Sequence, residues 1–114
     1  MSKVQRTQSG KRHTLSLSKG GLRSRLIELC RANDVTYLAI FGSAARGDLT
    51  ARSDVDVLIR FLEGCSKTLF DLIGVEDHLR KIFHRKVDLL TVNGLSPHLK
   101  NDILSSCKVI YVER

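Results

Sequence analysis

Gly42 to Phe61 reads GSAARGDLTARSDVDVLIRF, and the alternation in its second half decides the fold. From Asp54 to Leu62, Val55, Val57, Ile59 and Phe61 fall on one face, and Asp54, Asp56, Leu58 and Arg60 on the other. That is the two-residue period of a strand with one buried face. The first half opens with Gly42-Ser43, which breaks whatever precedes it, and Ser43 to Arg46 can form a short helical turn before Gly47. Just upstream, Val35 to Phe41 (VTYLAIF) is β-branched and aromatic, as a buried strand requires.

Working outward, Leu22, Leu26, Leu29 and Cys30 recur at helical spacing and predict a helix that stops near Asn33-Asp34. Leu69, Leu72, Ile73, Glu76, Leu79, Ile82 and Phe83 predict a second helix over 67–83, with Gly74 its weak point. Lys86 to Val92 (KVDLLTV) reads as a strand. Ser96-Pro97 supplies an N-cap and a first-turn proline for a helix to about Ser106, and Lys108 to Val112 reads as a further strand. The order α-β-(short α)-β-α-β-α-β predicts an α/β (α+β) domain: a mixed β-sheet of about four strands with helices packed against it.

The chain has 114 residues, 42% of them hydrophobic, which suits one globular domain. No apolar run approaches the roughly 20 residues that span a bilayer, and no secretory signal pattern opens the chain, so a cytoplasmic protein without membrane contact is expected. The net charge of +7 is unevenly spread. Residues 1–25 carry seven cations and no acid, while the remainder is balanced. The expected organisation is a basic, flexible arm over 1–20, with a short extended piece at 14–17, followed by a domain over 21–114. The arm suits an RNA contact, an acidic partner or a solvated leader. Cys30, Cys65 and Cys107 are far apart and in no CxxC spacing, so free thiols are expected rather than disulfides or zinc.

Three acids carry the chemistry. Asp54 and Asp56, two apart on one strand face, hold their Cα atoms about 6.5–7 Å apart. Asp88 sits inside an apolar strand, where an unpaired carboxylate would be costly and would call for a cation or donors. Carboxylates converging on one patch favour a hard divalent ion, Mg²⁺, that keeps waters and phosphate oxygens among its ligands. Gly42 lets backbone approach a phosphate, and the first N–H groups of a helical turn, the Ser43 hydroxyl and Arg46 can hold anionic oxygens.

Gly42-Ser43, then Asp54-Val55-Asp56, then Val87-Asp88-Leu89-Leu90 resembles the minimal nucleotidyltransferases of the polymerase-beta superfamily, from about Leu22 to Glu113. The resemblance implies the nucleotidyltransferase fold and a set of roles. Gly42 and Ser43 would bind the β- and γ-phosphates of ATP. Asp54 and Asp56 would ligate two Mg²⁺ ions, and Asp88 would complete the metal site and take the acceptor's proton. Arg46 and Gly47 keep the family pattern, while Ala44 stands where some members carry arginine. Many such proteins are antitoxins that transfer AMP to a tyrosine of a partner HEPN toxin. With 114 residues and no second domain, the acceptor site is expected from a protein partner or from a homo-oligomer. Two other readings are a non-catalytic antitoxin that neutralises by complex formation, and nucleotide transfer to RNA held by the arm.

Overall fold

The computed structural model describes residues 21–47, 49–50 and 53–113. The basic arm, with its extended piece at 14–17, lies outside the described residues. Helix α1 (Leu22–Ala32) leads into β1 (Val35–Phe41), the short helix α2 (Gly42–Arg46) and β2 (Val55–Phe61). Helix α3 (Leu69–Phe83), β3 (Val87–Thr91), a 3-10 turn (Val92–Gly94), α4 (Pro97–Ser106) and β4 (Lys108–Val112) follow.

The four strands form one mixed sheet in the order β3-β2-β1-β4. β1 runs antiparallel to both β2 and β4, whereas β2 and β3 are parallel. A parallel pair cannot be joined by a tight turn. Helix α3 therefore crosses over between β2 and β3 and returns the chain to the end of the sheet where β2 began.

The alternation of β2 sorts the core into two layers. Val55, Val57 and Ile59 pack with Leu38 and Ile40 of β1 under Leu26, Leu29, Val75, Leu79 and Phe83 of α1 and α3. On the opposite face, Leu58 joins Tyr37, Ala39 and Val92, and Ile103 and Cys107 close over them. Helix α4 buries no residue fully, so that face is the thinner layer. The Tyr37 hydroxyl lies 3.3 Å from the Cys107 sulfur, and burial with this contact pushes it up to about 12. Burial likewise pushes the Cys30 thiol up to about 12, and all three cysteines are free, as expected.

The predicted 67–83 helix begins at Leu69 because Thr68 caps it. Thr68 Oγ1 accepts from the Asp71 N–H at 3.4 Å, and Asp71 Oδ2 accepts from the Thr68 N–H at 2.8 Å. This capping box fixes the first turn. Gly74 does not interrupt the helix. The strand predicted to Val92 stops at Thr91, whose hydroxyl accepts from the Gly94 N–H at 3.2 Å and turns the chain. Among the described residues, no helix is long and apolar enough to cross a membrane.

Leu38 lies on a central strand with no solvent exposure. Leu38→Ala is expected to lower stability by about 2–5 kcal/mol, read as a fall in the urea midpoint at unchanged slope.

Candidate active site

The site is assembled by register. Phe41, the last residue of β1, pairs with Asp56, and on the other side Asp56 pairs with Asp88. Gly42 follows Phe41 directly and so lies over the Asp56 carboxylate. Its φ is +64°, and a Cβ built there would sit 2.5 Å from Asp56 Oδ2. Glycine is thus required twice, for a left-handed backbone and for a close approach. Ser43 lies within α2, whose N-cap position falls to extended Phe41 with no side-chain cap. The first-turn N–H groups of α2 therefore have no side-chain acceptor at the cap, on the side where Asp56 lies. Gly47, at φ +74°, ends the helix one residue after exposed Arg46.

Asp56 is half-buried, and its carboxyl is held above the usual carboxylate range. Burial is the main cause, followed by the charges of Asp88 and Asp54; Arg46 opposes them. The Asp56 and Asp88 side chains are close enough to share a hydrogen bond. Asp88, expected to be a costly carboxylate within an apolar strand, is instead exposed. β3 is an edge strand, and the face of it that carries Asp88 lies away from α1 and α3. The burial argument for Asp88 fails for that reason, while its placement beside Asp56 stands.

Asp54 is half-buried and lies one residue before β2. Backbone bonds fix this strand entry: the Val55 N–H donates to the Lys86 carbonyl at 2.9 Å. Arg85 adds to this, its Nη1 donating to the Thr50 carbonyl at 3.0 Å and the Ser53 carbonyl at 3.1 Å. Sequence reading missed Arg85, because contacts to main-chain carbonyls leave no side-chain pattern.

Among the described residues, no three Asp, Glu, His or Cys side chains are closed around one point as cation ligands. What the acids form is an abutting pair, Asp56 and Asp88, with Asp54 in electrostatic reach. This all-oxygen set suits Mg²⁺, which draws most of its octahedral shell from water and phosphate. A groove of about 420 Å³ between α1 and α3 belongs to the opposite layer and does not touch these carboxylates.

Two substitutions test this geometry. Gly42→Ala and Gly64→Ala both force alanine into a left-handed backbone, at about 1–2 kcal/mol each. Only Gly42→Ala also meets Asp56, since nothing lies within 4 Å of a Cβ at Gly64. Similar losses in urea are expected, with a shifted Asp56 carboxyl carbon NMR signal for Gly42→Ala alone. The second test concerns charge. Because the native state binds the Asp56 proton more tightly than the unfolded chain, ionising Asp56 costs native stability. That cost begins as pH rises through the ordinary carboxylate range and is complete above the raised value. In EDTA, Asp56→Asn should therefore melt higher than the wild type at neutral pH, and the difference should vanish on acidification.

Comparison with known proteins follows the same outline. The nucleotidyltransferase domain profile matches residues 23–110. A candidate protein adenylyltransferase of Methanocaldococcus jannaschii is 42% identical over 91 residues, covering 79% of this chain and 91% of its own. The structure of a candidate minimal nucleotidyltransferase superposes with TM-score 0.66 at 32% identity, over 75% of this chain and 85% of that one. A tri-AMPylated Shewanella oneidensis HEPN toxin in complex with its MNT antitoxin gives a TM-score of 0.60 at 17% identity, over 80% and 70% of the two chains. At that identity the likeness is one of fold. The profile match over most of the chain and the 42% identical relative assign it: this protein belongs to the nucleotidyltransferase family and is a minimal nucleotidyltransferase of the polymerase-beta superfamily.

Proposed function

We propose that this enzyme transfers AMP from ATP to a tyrosine hydroxyl of a partner HEPN-type toxin and acts in the cytoplasm as its antitoxin. The observation that carries the reading is the single line Phe41–Asp56–Asp88, which sets a glycine turn directly over a carboxylate pair. The adenylyltransferase relative and the AMPylated-toxin complex support the choice of nucleotide and acceptor.

In this reading the N–H groups of Gly42 and Ser43 and the Ser43 hydroxyl bind the β- and γ-phosphates, with Arg46 adding positive charge. Asp54, Asp56 and Asp88 hold two Mg²⁺ ions. When bound, the ions neutralise the acid cluster and stabilise the entering and leaving oxygens of an in-line displacement. Asp88, the exposed member, faces the acceptor and takes the proton of the attacking hydroxyl. That oxygen bonds to the α-phosphorus, the bond to the bridging oxygen breaks, and pyrophosphate leaves with the electron pair. The raised proton affinity of Asp56 fits this arrangement, since a carboxylate half-buried and crowded by like charges gains most from a cation.

Intact-mass measurement of the partner after incubation with Mg-ATP tests the reading. The wild type should add AMP, and Asp54→Ala with Asp56→Ala, or EDTA, should abolish the addition. A double variant that still neutralises the toxin, beside a wild type that leaves it unmodified, would favour inhibition by complex formation.

A further inference from the structure

We propose that Arg85 is a positioning residue for the carboxylate site, holding the strand entry from which Asp54 projects. The inference rests on the reading of Asp54 and Asp56 as cation ligands. Its basis lies in the path of the chain after α3. His84 caps that helix at φ +57°, in the left-handed region, and the chain turns from there into β3. The half-buried Arg85 follows directly and reaches Ser53 and Thr50, 32 and 35 positions away.

One guanidinium nitrogen bridges the carbonyls of Thr50 and Ser53, the second adjoining Asp54. Thr50 and Ser53 are themselves joined: the Thr50 N–H donates to Ser53 Oγ at 2.8 Å, and their hydroxyls lie 3.0 Å apart. Arg85 thus holds two residues that are already joined to each other, and ties them to the start of β3. The same segment bears the Val55–Lys86 backbone bond, so the residues preceding Asp88 and following Asp54 meet at one hydrogen-bonded junction. The two N–H bonds of that nitrogen lie in the rigid guanidinium plane, whereas a lysine ammonium rotates on a flexible stem, so arginine restricts the junction more. Arg80, in the last turn of α3, is engaged elsewhere, with Glu76 and Asp77 at 3.8 and 3.5 Å.

Positioning and simple charge predict opposite signs. Removing a positive charge near an acid cluster strengthens cation binding. Removing a clamp that orients a ligand weakens it, by roughly 10–100-fold for residues that support metal ligands. Mn²⁺ binding to the full chain, followed by electron paramagnetic resonance without nucleotide, reads the difference directly. Each variant is measured below its own melting transition, so that unfolding does not contribute. Arg85→Ala should weaken Mn²⁺ binding about tenfold or more, Arg85→Lys should fall between it and the wild type, and Arg80→Ala should bind as the wild type does. If Arg85→Ala does not fold, Arg85→Lys decides: weaker binding supports the proposal and unchanged binding overturns it. Binding by Arg85→Ala equal to or tighter than wild type overturns the positioning role alone. A wild type that binds no Mn²⁺ overturns the cation reading and this proposal with it.

Discussion

The register of β2 is the constraint on which the site depends. Val55, Val57 and Ile59 are fully buried against α1 and α3, and this locks the strand against slipping. Because side chains alternate, a slip of one residue would drive Asp54 and Asp56 into the helical layer and expose the valines. The same lock sets Phe41 and Asp88 on either side of Asp56. Hydrophobic burial on one face thus fixes the charge geometry on the other. Contact between the ionised acids could not do this, since their charges repel.

That division explains how the protein tolerates an unfavourable cluster. Half-burial and two neighbouring carboxylates disfavour ionised Asp56, with Arg46 as partial relief. The strain is local, confined to one end of a sheet whose middle is apolar on both faces. A nearby positive charge relieves it, as Arg46 does in part. Gly42 belongs to the same trade: its left-handed backbone loosens the chain, but any larger residue would push the carboxylate aside.

Legibility in the sequence followed the same physics. β1 and β4 were readable to the residue because their apolar runs are bounded by sharp breaks, at Gly42 and after Cys107. The site pattern was readable because Gly42-Ser43 and Asp54-Val55-Asp56 are local and each residue type is constrained. The start of α3 was blurred because Leu69 and Phe70 are apolar yet exposed, so the stripe says nothing about where Thr68 caps. The exposure of Asp88 was invisible, since VDLLT reads alike on a central strand and on an edge. Arg85 left no trace because its partners are main-chain atoms.

The parallel pairing of β2 with β3 has a consequence for when the carboxylate pair forms. Asp56 and Asp88 become neighbours only after the intervening crossover through α3 has been made and packed. The supporting sheet closes later still, since β4 pairs with β1 and the Tyr37–Cys107 contact spans 70 positions. Contacts of such long range form late, after the entropy of closing large loops has been met. Until β3 is in place, Asp56 therefore lacks Asp88 as its neighbour, although Phe41, which precedes Gly42, and Asp56 lie on adjacent strands. The carboxylate pair is thus a product of the assembled sheet and of no single strand within it.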